Sequence, residues 1–459
     1  MDVRQEIRIA LARAGNSLGF DMLPDDAPLE HTADFSHGDY ASSLALMKAK
    51  AAGESPRALA EKLVAALGDI EGVAQIEIAG PGFINFHLSA DALAQTIEEA
   101  SSNDMWGAGQ SHQNETVMME YTDPNPFKEF HIGHLVPNAI GESLARLFQF
   151  SGAKVLRANY QGDVGVHVAK ALFILLEKNI SEPELADISL AYAEGSSRYD
   201  YDAAAKSAID ALNKTIYDKS DPRVNALYEK GRKISLDHFE EIYAVLGTTF
   251  DFYFFESATG PVGERIVRAH PELFVESEGA IVFRGDEYGL HTRVFLNKLG
   301  LPTYEAKELG LAKMKEEAAR FDRTITITAN EQKDYFDVAM KAAQLALPEL
   351  SGKLFFRTHG LLRFAEGKMS SRTGNVIRGE DLIADLAQAA RERASESRAD
   401  DPEQLAQQIA VGAIKYQILR QASHKDIIFD RARALSLEGD SGPYLQYAHA
   451  RAHAVCAKA

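Results

Sequence analysis

The chain has 459 residues, room for two to four domains of about 100–200 residues each, and its composition, 46% hydrophobic and 25% charged, is that of an ordinary globular protein. Its 49 Lys and Arg against 67 Asp and Glu leave a net charge of −18, which argues against a surface that binds polyanions throughout, and its single cysteine, Cys456, excludes a disulfide framework or a Cys-rich zinc site. No apolar run reaches the roughly 18 residues of a membrane span, and the acid-bearing start MDVRQEIRIALARAG has neither a signal core nor transit-peptide character, so a cytoplasmic protein is expected.

Residues 1–110 read as a small α+β unit. VRQEIRIALARA has helical spacing, and ESPRALAEKLVAAL is a helix with Ser55 as N-cap and Pro56 at its first position. AQIEIAG and GFINFHLS alternate around Gly80-Pro81 as a strand pair, and SADALAQTIEEA returns to helix. The polar, Gly-bearing SSNDMWGAGQSHQNE is a linker. TVMMEYTDPN then reads as a buried strand, HIGHLVPNAIGESLARLFQFSG as a helix closed by Gly152, and AKVLRANYQGD as a second strand, the order of a βαβ unit. Residues 168–247 are helical and charged, as an insertion would be. Strand-like runs resume at GAIVFRG, HTRVFLN and RTITITAN, so the parallel sheet is expected to be split by the insertion. Residues 380–433 are helical, and the chain runs out in a further helix, GPYLQYAHARAHAVCAKA.

One stretch departs from the acidic average. Residues 351–378 carry six Lys and Arg against one Glu, interspersed with Gly and Ser, which suits a loop that meets phosphates and equally a solvated surface loop. It contains K-M-S-S-R-T-G-N at Lys368–Asn375. A lysine there stabilises a pentacoordinate phosphorus, while serine hydroxyls position the leaving oxygens. The second motif, H-I-G-H at His131–His134, stands where a strand passes into a helix. Helix N-termini bind phosphate, two imidazoles one turn apart share a face, and Gly133 leaves room for a flat base. H-x-x-H also occurs in metal sites, but no third ligand stands at a metal-like spacing, so no protein metal site is expected.

HIGH followed by KMSS, with Lys368 237 residues beyond His131, resembles a class I aminoacyl-tRNA synthetase. The stretches GDYASSLALMKAKAAGESPRALAEKLVAAL and IEIAGPGFINFHLS, the pre-HIGH segment YTDPNPFKEFHIGHL, ANYQGDVGVHVAK and EGDSGPYLQYAHAR are similar to arginyl-tRNA synthetases over nearly the whole chain. The resemblance implies a Rossmann-type parallel sheet carrying a helical insertion at about 176–250, within a catalytic domain at 115–379. It further implies an N-terminal domain at 1–110 that touches the tRNA elbow, a helical stem-contact region at 380–432, and the start of an anticodon-binding helical domain at 433–459. The activity implied is ATP-dependent attachment of L-arginine to tRNA(Arg) through an arginyl-adenylate, needing bound tRNA, with Mg²⁺ on the ATP phosphates and a monomeric enzyme.

The implied ATP contacts are His131, Gly133, His134, Lys368, Met369, Ser370 and Ser371; the implied catalytic residues are His131 and His134, as hydrogen-bond donors, and Lys128 and Lys368, as positive charges. Asn125 would hold the substrate's α-amino group, and Glu256, Tyr304, Glu308 and Gln332 the rest of arginine. A guanidinium needs carboxylates in a rigid pocket, and Tyr304 and Glu308, four apart, share a helix face. Three departures stand out. Ser371 replaces the loop's second lysine, a loss that Lys128 offsets by the same resemblance. Glu308 is one methylene longer than the family's Asp. Val164 and His167 replace Trp and Gln, and His167 either touches substrate or packs as a buried histidine. Two other readings remain: a related adenylating ligase for another amino acid, and a non-catalytic paralogue that binds arginine or tRNA.

Overall fold

A computed structural model describes residues 2–365, 377–393 and 399–458. The chain divides into two compact units, Met1–Ala108 and Gly109–Ala459. In the first, α1 (Val3–Ser17) is followed by β1 (Glu30–His31), β2 (Tyr40–Ser42), α2 (Leu44–Ala52), α3 (Pro56–Leu67), β3 (Val73–Ala79), β4 (Phe83–Leu88) and α4 (Ala90–Ser102). The strands pair antiparallel in the order β1-β2-β4-β3. Ser55 caps α3 by accepting from the Ala58 N–H at 3.3 Å, with Pro56 in the first turn, where its missing N–H costs nothing. Ile7, Leu11, Leu44, Leu59, Leu63 and Phe86 fill a core belonging to this unit alone.

The second unit begins with β5 (Thr116–Glu120), α5 (Ile132–Phe150), β6 (Lys154–Gln161) and four helices: α6 (Val166–Glu177), α7 (Leu185–Tyr201), α8 (Ala203–Asp218) and α9 (Pro222–Leu246). Then come β7 (Phe252–Phe255), α10 (Glu256–Ala269), β8 (Phe274–Ser277), β9 (Ala280–Phe283), β10 (Arg293–Leu296), α11 (Tyr304–Ala318), β11 (Arg323–Ala329), α12 (Lys333–Ala346), β12 (Leu354–His359) and β13 (Leu362–Phe364). The last elements are α13 (Gly379–Arg393), α14 (Pro402–Leu419), β14 (Ile427–Phe429), α15 (Arg431–Ala434) and α16 (Gly442–Cys456). None of the described helices is long and apolar enough to cross a membrane.

Five parallel strands form the central sheet in the order β12-β11-β5-β6-β7. Both faces are buried. Val117 and Met119 point into one apolar layer with Ala145 of α5, and Met118 into the other with Phe254, Val338 and Leu309. That is why TVMME reads as an unbroken apolar run rather than an alternation. The strand order reverses between β5 and β11, so the connections leaving these strands diverge. A crevice must open at their carboxyl ends, where open α/β sheets bind ligands.

Two expectations from sequence need correction. GAIVFRG and HTRVFLN are strands, but β9 and β10 join β8 in a separate antiparallel sheet and do not extend the parallel one. Each is only four residues long, with Val294 exposed, and a strand inside the central sheet would be covered on both faces. The basic stretch is not one continuous loop either. Leu354–His359 is an edge strand on β11 and Leu362–Phe364 pairs with β14. Leu354 and His359 are buried there, so the strand's apolar contacts outweigh its local charge.

Candidate active site

The turn between β5 and α5 is held in conformations that side chains resist. Thr122, Asp123 and Phe127 have φ of 82°, 46° and 67°. Left-handed φ costs about 1–3 kcal/mol at a bulky residue and survives only where surroundings over-determine it. Here Asn159 Nδ2 donates to the Tyr121 carbonyl at 3.0 Å, the Tyr160 N–H to Asp123 Oδ1 at 2.7 Å, and the Phe127 N–H to Ser235 Oγ at 3.0 Å. The turn therefore leaves the sheet on a fixed path and delivers His131 as the N-cap of α5.

His131 Nδ1 accepts the Gly133 N–H at 3.1 Å, and His134 Nδ1 accepts the His131 N–H at 3.1 Å. The rings stack with centroids 3.8 Å apart. An accepting Nδ1 leaves the neutral ring's proton on Nε2. Burial lowers the pKa of both rings, with Lys128's charge adding to the effect, so both are neutral Nε2–H donors at physiological pH. Gly133 has a steric reason beyond the room it offers a base: a Cβ there would stand 2.7 Å from the His131 ring.

Lys368, Met369, Ser370 and Ser371 lie outside the described residues. The backbone just after them is tied to the HIGH helix: the Ile132 N–H donates to the Ile377 carbonyl at 3.1 Å, and the Gly379 N–H to the Phe130 carbonyl at 2.8 Å.

Beyond the carboxyl ends of β5 and β11 lies a cavity of about 590 Å³ whose lining includes Asn125, Glu256, Tyr304, Glu308 and Gln332. All five residues expected to hold arginine thus meet in one place, though they come from the turn after β5, the starts of α10 and α11, and the turn before α12. Gly162 permits the approach of two of them, because a side chain there would overlap Asn125 Oδ1 and press on Glu256 Oε1. Asp163, fully buried, fixes the start of α10 by accepting from Ser257 N at 2.8 Å and Ser257 Oγ at 2.7 Å. Lys128 is half-buried, its ammonium 5.7 Å from the centre of the Tyr192 ring; burial lowers its pKa, and the charge of Glu256 opposes that. His167 Nε2 lies 2.8 Å from the Gly162 carbonyl, and burial pushes its pKa down to about 3, so this histidine is neutral and braces the cavity wall.

The cavity is rich in carboxylates. Glu256, 7% exposed, is paired with Lys307 at 2.6 Å; burial raises its pKa and Lys307 opposes the rise. Glu120 pairs with Lys315, and Glu305 with Arg293 at 3.2 Å. Glu308 has its pKa pushed up to about 8 by burial and by Glu120, against the pull of Lys315 and the nearby Tyr335 hydroxyl. Asp123 is also raised, by burial and then by Glu120. Glu308 and Asp123 thus hold their protons in the free protein for want of a full cationic partner, and a planar guanidinium can satisfy several carboxylates at once.

Sequence reasoning missed Glu120, Asp123, Lys307, Lys315 and Tyr335. Lys307 was the most accessible of these, one residue before Glu308 in a motif already singled out. Glu120 sits at the end of an apolar strand, and a lone acid there signals a buried partner. Among the described residues, no group of three or more His, Cys, Asp and Glu is arranged to hold a metal.

Comparison with known proteins identifies the family. Residues 96–431 match the family model "tRNA synthetases class I (R), catalytic domain", and residues 1–88 match "Arginyl tRNA synthetase N terminal domain". The arginine–tRNA ligase of Azotobacter vinelandii is 33% identical, the alignment covering 99% of this chain and 82% of that protein; that of Alcanivorax borkumensis is 32% identical, over 95% and 79%. In fold, the Thermus thermophilus arginyl-tRNA synthetase superposes with a TM-score of 0.76 at 24% identity, over 99% of this chain and 82% of that one. The Plasmodium falciparum arginyl-tRNA synthetase gives 0.75 at 19% identity, over 100% and 81%. With its reversed-order parallel sheet, its HIGH helix and its acid-lined crevice, the chain belongs to the class I arginyl-tRNA synthetases.

Proposed function

We infer that this chain attaches L-arginine to tRNA(Arg) at the expense of ATP, and that the residues gathered at the β5/β11 crevice carry the chemistry. The observation behind the residue assignment is the convergence of Asn125, Glu256, Tyr304, Glu308 and Gln332 on one carboxylate-rich cavity reached from the same turn as the HIGH helix.

In the first step a carboxylate oxygen of arginine attacks the α-phosphorus of ATP. The bond from that phosphorus to the bridging oxygen breaks, pyrophosphate leaves, and arginyl-adenylate forms. Glu308 and Tyr304 hold the guanidinium end. Asn125 Oδ1 and Glu256 Oε1, adjacent across Gly162, hold the α-ammonium, and Gln332 closes the side of the cavity. The Nε2–H groups of His131 and His134 donate to phosphate oxygens as negative charge shifts toward the leaving group, and being neutral they do so without giving up a proton. Lys128 supplies positive charge at the α-phosphate, and Lys368, Met369, Ser370 and Ser371 engage the pyrophosphate. Mg²⁺ arrives as part of the nucleotide substrate, on its phosphates. In the second step a hydroxyl of the terminal adenosine attacks the arginyl carbonyl and AMP leaves.

Residues 1–110 then contact the tRNA elbow, 380–432 the stem, and 433–459 begin the anticodon-reading helices. The protein works as a monomer in the cytoplasm. The test is charging of tRNA with labelled arginine by the wild-type chain, Lys128→Ala and Glu256→Ala. The wild type charges, and each variant loses at least about 100-fold, the scale of a removed charge contact in a buried site. Charging that survives both substitutions contradicts the assignment of these residues.

A further inference from the structure

The floor of the cavity brings together three carboxylates, Glu120 at the end of β5, Asp123 in the turn after it, and Glu308 on α11. One lysine, Lys315, stands among them and is paired with Glu120. A buried cluster with one cation for three acids is short of positive charge, and each acid raises the cost of ionising the others. The arginine reading assigns Glu308 to the guanidinium and gives Asp123, which helps hold the turn, no part in substrate binding. Its backbone nevertheless adopts φ 46°, next to Thr122 at 82°, and one oxygen, Oδ1, is fastened by the Tyr160 N–H at 2.7 Å. Among the described residues Oδ2 makes no hydrogen bond, and Asp123 lines the cavity. A carboxylate aimed by a strained turn, half satisfied, and facing a cavity built for a cation is placed for a ligand.

We propose that Asp123 is a further specificity-determining residue for arginine, its free oxygen accepting from the guanidinium beside Glu308. The proposal rests on the reading of the cavity as the arginine site. Two carboxylates on one guanidinium use the planar fork's several N–H donors, which a single-point ammonium or a neutral urea cannot match. Selection then depends on charge as well as length: a neutral isostere of arginine leaves both acids unpaired.

Asp123→Asn isolates this effect. Asparagine is, after glycine, among the residues that best tolerate a left-handed φ, and its Oδ1 can keep the Tyr160 N–H bond. The measurement is tRNA-dependent ATP–pyrophosphate exchange, with KM for arginine and for ATP determined separately and citrulline, the neutral ureido analogue, as a competitor. The expected result is a rise of about 10–100-fold in KM for arginine, the loss of one charge-assisted contact, with kcat and KM for ATP within about threefold of wild type. Citrulline should compete relatively better against arginine in the variant than in the wild type. A KM for arginine within about twofold of wild type overturns the proposal, as does a parallel loss in KM for ATP, which marks a general disturbance of the turn. Absence of arginine-dependent exchange in the wild type itself overturns the arginine reading, and this proposal with it.

Discussion

Glu308 shows what burying an acid beside another acid costs the free protein. Burial and the neighbouring Glu120 push its pKa from 4.5 up to about 8, so the folded chain holds this proton more tightly than the unfolded chain does. The stability that goes with the held proton is fully present below about pH 4.5 and is lost as pH rises through about 8. Asp123, raised by the same causes, works in the same direction. A bound guanidinium favours the ionised carboxylates and reverses the trend. Thermal unfolding of the free protein should therefore show a midpoint that falls between pH 6 and pH 9, and stabilisation by saturating arginine should grow over that interval. Glu308→Gln, which cannot ionise, should flatten the fall and raise the midpoint at pH 9, while weakening arginine binding by about 10–100-fold. An unchanged pH slope in Glu308→Gln would show that the proton resides elsewhere. At Glu256 burial again raises the pKa, but a buried cation, Lys307, stands 2.6 Å away and opposes the rise, a partner that Glu308 lacks at such a distance among the described residues.

At the scale of elements, α5 was the most legible part of the site, because its start is written in residues that perform local chemistry. His131 caps, His134 returns the bond, and Gly133 stands between them, all within one turn. The same compactness makes a sharp prediction. Gly133 is exposed and helical, so alanine there gains helix propensity of about 1 kcal/mol. Its Cβ would stand 2.7 Å from the His131 ring, which must turn away and release the Gly133 N–H. Gly133→Ala should leave the unfolding midpoint unchanged or slightly higher, while kcat falls about 10-fold or more and KM for arginine stays the same. A variant with normal kcat would mean that the His131 ring position is immaterial. Elements whose partners are distant were harder to read. β9 and β10 carry the apolar content of central strands, yet they belong to the antiparallel sheet, and four residues do not specify which sheet a strand joins. β12 was concealed by Lys353, Arg357 and Arg363, whose charges lie at or beyond its solvent side while Leu354 and His359 face inward.

For the whole molecule, the sequence carried the order of the parallel strands' surroundings but not the network of ion pairs between them. The resemblance to arginyl-tRNA synthetases, not spacing, grouped Asn125, Glu256, Tyr304 and Glu308; Asn125 and Glu256 follow strands of the central sheet, whereas Tyr304 and Glu308 follow β10 of the antiparallel sheet, and all four line one cavity. The pairing of Glu120 with Lys315 and of Glu256 with Lys307 joins residues 195 and 51 positions apart, and no local pattern encodes a contact over such separations. The division into Met1–Ala108 and Gly109–Ala459 yields the last prediction. The first unit's core draws on residues 3 to 92 and the second unit's clusters on residues 117 to 435, with no member shared. Every residue lining the cavity proposed for arginine belongs to the second unit. A chain beginning at residue 109 should therefore fold with its arginine site intact, and saturating arginine should raise its unfolding midpoint by the same increment as in the full chain, within about 1 °C for equal affinity. On the proposed reading in which residues 1–108 contact tRNA phosphates, its tRNA charging should fail through KM for tRNA, and low ionic strength should recover part of the loss. A truncated chain that no longer responds to arginine would mean that the first unit shapes the site, and one that charges tRNA with an unaltered KM would remove the first unit from tRNA binding.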